Sequence, residues 1–152
     1  MGFTGEGFFS FNDINHVKGH IRYLLRTEKD QRRTNGHTKE NLMFLMDDMD
    51  AESYSTFPEG LEERREFEKM YFQFLEDVPY QRLAMGRFEW KDPDVYTFTD
   101  EMVHKVFEMA REIEARVGSI VLAVGHLDQP ENYVHVHFFV LAYDDDEKEE
   151  TT

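Results

Sequence analysis

The chain has 152 residues, of which 40% are apolar and 14% aromatic, so we expect one domain with an aromatic-rich core. It contains no cysteine, which excludes disulfides, thiolate metal sites and a cysteine nucleophile. No segment has the ~18 apolar residues of a membrane span, and the first residues lack a signal-peptide pattern. We therefore expect an intracellular, cytoplasmic protein without a membrane partner.

The net charge of −15 is unevenly distributed along the chain. Residues 16–39 contain seven basic residues against two acidic ones, a local net charge of +5 that leaves −20 for the rest. These basic residues are Lys18, Arg22, Arg26, Lys29, Arg32, Arg33 and Lys39. Such segregation is compatible with one basic binding face on an acidic body. The alternative is a chance basic stretch in an acid-rich protein.

The first quarter of the chain predicts a strand, a helix and a loop. Residues 8–12 form the short strand, and Asp13 or Asn12 caps a helix over residues 14–26. Its apolar face contains Ile14, Val17, Ile21, Leu24 and Leu25. The polar residues 27–39 form a mobile loop, and a short helix is the preferred structure for the apolar residues 41–46.

The rest of the chain predicts two longer helices and three strands. One helix covers residues 61–76 and buries Phe67, Met70, Tyr71, Phe74 and Leu75. Residues 83–90 form a strand, and Thr99 caps a helix over residues 100–117 that ends at Gly118. Strands follow at residues 119–128 and 133–143. This order predicts an α+β fold, an antiparallel sheet with helices packed on one or both faces. A single domain covers residues 1–143, and residues 144–152 form an acidic disordered tail.

Three histidines lie within the last two strands. Alternation puts His126 on one face with Asp128, and His135 on one face with His137. In an antiparallel hairpin, His126 lies across from His135, with His137 one pair further along. Cross-strand Cβ atoms are ~4.5–5.5 Å apart, so three imidazoles converge on one ion. The pattern predicts a divalent-metal site on the central hairpin. Three unrelated histidines, each hydrogen-bonded in the sheet, are the alternative.

The first helix carries a polar stripe beside its apolar face. His16, His20 and Tyr23 fall in this stripe at 100° per residue, whereas Tyr71 falls among the apolar residues of its own helix. A tyrosine at the edge of a buried helix can face a site. Tyr23 is therefore a candidate nucleophile, and a surface aromatic is the alternative interpretation.

Together these residues resemble the HUH endonucleases, in which a histidine–hydrophobic–histidine pair holds a divalent ion and a tyrosine attacks DNA. His135-Val136-His137 matches the pair, and His126 fits the third ligand that relaxases place upstream. The sequence from Gly19 to Arg26 is similar to the H-x-x-Y-L-x-R opening of mobilisation-type relaxases, which place their tyrosine near the N-terminus. The resemblance covers the first 40 residues and roughly the last 50.

The resemblance implies a palm-like HUH domain that acts as a site-specific, single-stranded DNA nickase and strand transferase for a plasmid or virus. Tyr23 attacks to leave a 5′-phosphotyrosine and a free 3′-hydroxyl. The ion is Mn²⁺ or Mg²⁺, with Zn²⁺ as a further option. Candidates for acid–base help are His20, Glu89 and Asp128, and either carboxylate has the alternative role of orienting a ligand imidazole.

Single-stranded DNA is the expected partner of the basic stretch. The residues expected to hold it are Lys18, Arg22, Arg26, Lys29, Arg32 and Arg33, with bases stacking on an exposed aromatic such as Trp90. Trp90 has the alternative role of a core residue. Two other functions stay open, namely a metal-containing DNA-binding module that does not cleave and a phosphodiesterase whose nucleophile is metal-bound water. Tyr71 and Tyr143 remain alternative nucleophiles, and the sequence does not decide between monomer and dimer.

Overall fold

The computed structural model describes residues 3–25, 37–56, 61–90, 98–129 and 133–143, with the backbone alone at 6, 37–41, 56, 61, 64, 128, 129 and 133. The strands in this part of the chain are β1 (Thr4–Ser10), β2 (His37–Phe44), β3 (Tyr54–Thr56), β4 (Leu83–Trp90), β5 (Gly118–Gln129) and β6 (Tyr133–Ala142). The α-helices are α1 (Ile14–Leu24), α2 (Leu61–Glu76) and α3 (Asp100–Arg116).

The six described strands form one antiparallel sheet in the order β1-β4-β6-β5-β2-β3. The hairpin of β5 and β6 is therefore at the centre, as the sequence predicts. Side chains on the two sheet faces belong to separate apolar clusters, one with α3 and the other with α1 and part of α2. The predicted α+β architecture is confirmed, with helices on both faces.

Helix α1 begins where the sequence predicts, and the structure decides its cap. The side chain of Asp13 accepts a hydrogen bond from the backbone N–H of His16 at 2.7 Å. This bond satisfies one of the donors that a helix N-terminus leaves without a partner inside the helix. Residues of the predicted apolar face, Val17, Ile21, Leu24 and Leu25, are at most 1% exposed. Burial of this stripe fixes α1 on the sheet and determines where its polar edge points.

Helix α3 packs on the opposite face. Thr99 caps it, since its side-chain oxygen accepts from the backbone N–H of Met102 at 3.2 Å. Val106 and Phe107 are fully buried against sheet residues such as Val136 and Phe138. Strand alternation puts Val136 and Phe138 on the face of β6 opposite His135 and His137.

Helix α2 has the predicted bounds but buries less than predicted. Leu75 is buried, whereas Met70 is 57% and Phe74 41% exposed, so their prediction as core residues is wrong. Helix α2 contacts α1, and Phe67 and Tyr71 are partly buried against the α1 cluster. The apolar stripe of α2 is therefore wider than the surface that covers it.

Three predictions for the first third of the chain are also wrong, in whole or in part. Residues 41–46 do not form a helix, because residues 37–44 are β2, which pairs with both β3 and β5. Leu42 and Phe44 join the α3 cluster and Met43 packs against the α1 cluster, so the run alternates as a strand does. Part of the predicted loop, residues 37–39, also belongs to β2, and the first strand lies at Thr4–Ser10 rather than at 8–12.

The predicted acidic tail, residues 144–152, lies outside the described residues. Within the described part of the chain, no helix has both the length and the apolar character needed to cross a membrane.

Candidate metal and nucleophile site

The three histidines lie on the central hairpin in the predicted register. His126 pairs with His135, and His137 pairs with Val124, one step further along. The side chains are almost completely buried, with exposed fractions of 0% for His126, 4% for His135 and 2% for His137. Burial of an imidazole is unfavourable unless its ring nitrogens have polar partners. Three buried imidazoles on one sheet face therefore need a polar group or an ion in their midst.

The imidazole rings gather around His137. Its ring centroid lies 5.6 Å from that of His126 and 6.2 Å from that of His135. Imidazoles that share one ion at N–metal distances of ~2.0–2.1 Å have centroids roughly 5 Å apart. No group of three or more His, Asp or Glu side chains in the described residues has the geometry of a ready-made metal site. Both centroid distances from His137 exceed the value for shared coordination by roughly 1 Å.

The histidines share the sheet face on which α1 packs. Val124 and Phe139, the strand residues two positions from His126 and His137, belong to the α1 cluster. The histidines lie at the end of this face where α1 finishes, since Tyr23 in its last turn contacts His137. The C-terminal end of a helix carries partial negative charge, which favours a cation nearby.

Tyr23 is the tyrosine that the fold brings to the histidines. Its ring is 51% exposed and nearly perpendicular to that of His137, at 85°, with the ring centroids 6.4 Å apart. The edge position in α1 explains this arrangement, because the apolar stripe of the helix faces the sheet and leaves Tyr23 at its margin.

The two other candidate tyrosines have structural roles. Burial, with a smaller contribution from Asp47, raises the pKa of Tyr71 to about 12, so its phenol is harder to ionise. The hydroxyl of Tyr143 donates a hydrogen bond to the backbone carbonyl of Glu114 at 2.6 Å, and its backbone N–H bonds the carbonyl of Val117. Tyr143 therefore fastens the end of β6 to α3.

Strand β4 adds Glu89 and Arg87 to the histidine face. Glu89 pairs with His135 and Arg87 with His137 in the β4–β6 ladder. The Arg87 Nη2 atom lies 3.0 Å from His135 Nε2 and 3.1 Å from Glu89 Oε1. Glu89 was predicted from the sequence as a candidate base, whereas Arg87 was not predicted. The available signal was strand alternation, which places residues 87 and 89 on one face.

The Arg87 guanidinium lies against both ring nitrogens of His135. Its Nη2 atom is 3.0 Å from Nε2 and 3.5 Å from Nδ1. A guanidinium is a cation with only donors, so its presence here disfavours a second cation at either nitrogen. A positive group already occupies the space between His135 and Glu89.

His16 and His20 form a second histidine pair along the exposed edge of α1. Their Nε2 atoms are 3.1 Å apart, and His16 Nδ1 accepts from the backbone N–H of Asn12 at 3.3 Å. The neutral His16 ring thus carries its proton on Nε2 and donates it to His20. Burial, and secondly the nearby His16, lower the pKa of His20. Tyr23 and Gly19 border the same shallow depression, of about 370 Å³.

Of the residues predicted to bind DNA, Lys18 and Arg22 are described. Both lie over the ring of Phe72 in α2, at 5.6 Å and 5.0 Å from its centroid. A depression of about 390 Å³ lies beside them, lined by Arg65, Glu68, Lys69, Phe72, Gln73 and Glu76. The predicted contacts Arg26, Lys29, Arg32 and Arg33 lie outside the described residues.

Two further predictions concern Asp128 and Trp90. Asp128 lies in β5 opposite Tyr133, and the described structure contains only its backbone. Trp90 is 4% exposed in the α3 cluster, with its ring centroid 5.2 Å from that of Phe3. The expectation that bases stack on Trp90 is therefore wrong, and its alternative role as a core residue is confirmed. Alternation along β4 puts it on the face opposite Glu89.

Comparison with known proteins identifies no family for this chain. A scan against protein-family models finds no match, and searches of curated proteins and of solved structures also find none. The functional argument therefore rests on the geometry of the site.

Proposed function

We propose that the protein is a metal-dependent endonuclease and strand transferase for single-stranded DNA, with a palm-like HUH domain and Tyr23 as its nucleophile. The observation that carries this proposal is the contact between Tyr23 and His137 within a group of three buried histidines. The sequence resemblance and the contact are independent of each other, because the resemblance uses no information about the packing of α1 on β6.

The donor set fits a divalent cation. Neutral imidazoles and a carboxylate are common ligands of Mn²⁺ and Zn²⁺, and Mg²⁺ is held by carboxylates and water. His126, His135 and His137 would hold the ion, with Glu89 beside them. The Arg87 guanidinium, with Nη2 at 3.0 Å from His135 Nε2, would have to move aside for the ion. A bound ion would act as a Lewis acid on the phosphoryl oxygens and orient the scissile phosphate.

The role of Tyr23 is nucleophilic attack on the scissile phosphorus. Its phenolic oxygen forms the new O–P bond as the bond from phosphorus to the 3′ oxygen breaks. The phenolic proton passes to a base, and the leaving oxygen gains a proton to become a free 3′-hydroxyl. The downstream strand stays on the protein as a 5′-phosphotyrosine, which a 3′-hydroxyl can attack to rejoin the strand.

Of the candidate bases whose side chains are described, Glu89 is better supported than His20. It lies across from His135 in the ladder and its side chain is 25% exposed, so it can exchange its Arg87 partner for a proton. The Nε2 lone pair of His20 accepts from His16, which makes His20 more suitable for positioning the edge of α1. A phenol has a pKa of ~10, so a nearby carboxylate base and cation both assist its ionisation.

Lys18 and Arg22 are the described residues that would hold the DNA backbone. They lie on the same helix as Tyr23, Arg22 in its last turn and Lys18 one turn earlier, so a strand bound along α1 would approach the nucleophile. Their positions over Phe72 restrict both side chains and leave the charges at the surface between α1 and α2. An acidic body with a local basic stretch directs a polyanion to that stretch.

One incubation tests the proposed function. The protein, Mn²⁺ and a labelled pool of single-stranded DNA are combined and then denatured, so that only covalent complexes survive. A covalent adduct that is lost in Tyr23→Phe supports the proposal. Cleavage without an adduct would instead indicate a phosphodiesterase that uses water as its nucleophile.

A DNA-binding module that does not cleave is the second candidate function. The contact between Arg87 and His135 favours it, because a guanidinium at Nε2 can satisfy the buried histidine without a metal ion. Binding of single-stranded DNA without cleavage, at any concentration of Mn²⁺, would support this candidate over the first.

A further inference from the structure

We infer that Arg87 competes with a divalent ion for His135, because its guanidinium lies against the ring nitrogens until the ion displaces it. This inference rests on the proposed metal site and adds a residue that neither the histidine motif nor the resemblance contains. It makes metal affinity a property of strand β4 as well as of the central hairpin.

The first argument is the position of the guanidinium. Arg87 Nη2 lies 3.0 Å from His135 Nε2 and 3.5 Å from His135 Nδ1, so the positive charge is next to both possible ligand atoms. A divalent cation bound to either nitrogen would be strongly repelled by a guanidinium at this distance. Coordination by His135 therefore requires that Arg87 leave, whichever ion binds.

The second argument is that the Arg87 side chain has a defined position but can leave it. Glu89 provides the other contact, at 3.1 Å, and the Arg87 side chain is 46% exposed. A half-exposed side chain on a strand has solvent on one side, so it can turn outward without disturbing the core. The positively charged group leaves as a positively charged ion enters, so Glu89 keeps a cationic partner.

The third argument concerns the spread of the histidine rings. The centroid distance from His137 to His135 is 6.2 Å, longer than the 5.6 Å from His137 to His126. The longer distance belongs to the ring that Arg87 contacts. Release of Arg87 frees His135 to turn toward the other two rings.

Titration with Mn²⁺ alone, against a chromophoric chelator, tests the inference in the full chain. Arg87→Met keeps an unbranched, flexible side chain and removes the charge and the donors, so it should bind Mn²⁺ about 10- to 100-fold more tightly than the wild type. Arg116→Met is the matched control, because it removes one exposed positive charge from α3, which lies on the other face of the sheet. Its Mn²⁺ affinity should equal that of the wild type.

The outcomes separate this inference from the proposed function. If the wild type binds Mn²⁺ and Arg87→Met binds it no more tightly, the competitor role is wrong while the metal site stands. If neither protein binds Mn²⁺, the metal site is wrong and the inference fails with it.

A second measurement needs no variant. In nitrogen-15 NMR spectra of the wild type, addition of Zn²⁺ should shift the His135 ring nitrogens and move the Arg87 guanidinium signal to that of a solvent-exposed arginine. An Arg87 signal that stays unchanged while the His135 signals report bound metal would overturn the inference.

Discussion

The ring of Tyr23 stands almost perpendicular to that of His137, at 85°, with the two centroids 6.4 Å apart. One residue belongs to the first helix and the other to the last strand, so the contact depends on the whole fold. It places the half-exposed Tyr23 of α1 against a buried histidine of the sheet, and the proposed chemistry depends on this contact.

The histidines should determine metal binding. His137→Ala should weaken Mn²⁺ binding at least ~100-fold, because replacement of mere outer-shell partners already costs 10- to 100-fold. His104→Ala is the control, since His104 is half-exposed and pairs with Glu52 and Glu108 on the α3 side. Calorimetric titration measures both, with circular dichroism to show that the variants are folded. Equal losses in the two variants would argue against a specific site.

Lys18 and Arg22 should contribute to DNA binding through phosphate contacts. For single strands the salt slope is ~0.7 per neutralised phosphate, so the double change Lys18→Ala/Arg22→Ala should make the slope shallower by about 1.4. Lys105→Ala/Arg116→Ala removes the same charge from α3 and should leave the slope unchanged. Fluorescence anisotropy at several salt concentrations provides the slopes. If both double variants change it alike, binding follows net charge and not a basic face.

The register of the histidines was predictable because it is local. Ten-residue runs with alternating character, joined by four residues, leave essentially one way to pair His126 with His135, and the structure has that pairing. Tyr23 was predictable for the same reason, since helical periodicity along α1 separates its polar edge from its apolar stripe.

The contact of Arg87 with His135 was not predictable, because it joins residues 48 positions apart through the pairing of β4 with β6. Nothing local specifies which strand lies next to the hairpin. The helix predicted at residues 41–46 was wrong for a different reason, since periodicity cannot distinguish a buried strand from a helix over so few residues. Pairing with β5 on one side and β3 on the other decides in favour of the strand.

Two glycines should respond to alanine in opposite directions. Gly19 lies within α1, where an added Cβ meets open space, so Gly19→Ala should stabilise the fold by about 0.5–1 kcal/mol. At Gly118, at the start of β5, an added Cβ would overlap the backbone carbonyl of Leu141, so Gly118→Ala should destabilise it by about 1–3 kcal/mol. Urea denaturation measures both changes, and a stable Gly118→Ala protein would contradict the β5–β6 packing.

His20 should make folding stability sensitive to acid. Its pKa in the folded protein lies below the 6.5 of the unfolded chain, because of burial and the proximity of His16. Below pH 6.5 the unfolded state therefore binds more protons, and stability falls as the pH falls until the folded His20 is also protonated. His20→Phe, which keeps a ring beside Phe9 and Phe11, should show a smaller loss over this range. Urea denaturation curves of the wild type and His20→Phe from pH 7 to 5 provide the comparison. Identical pH profiles of the two proteins would contradict a lowered pKa of His20.

The covalent adduct is the most direct test of the proposed function. A single-stranded pool labelled at the 3′ end is incubated with Mn²⁺ and each protein, and labelled protein is measured after denaturation. The wild type should retain the label, and Tyr23→Phe should reduce the rate of labelling at least ~10³-fold, because the nucleophile itself is lost. Tyr54→Phe, at a tyrosine that is 47% exposed on edge strand β3, should label like the wild type. Undiminished labelling of Tyr23→Phe would contradict the assignment of Tyr23, and DNA cleavage by the wild type without any labelled protein would contradict the tyrosine mechanism itself.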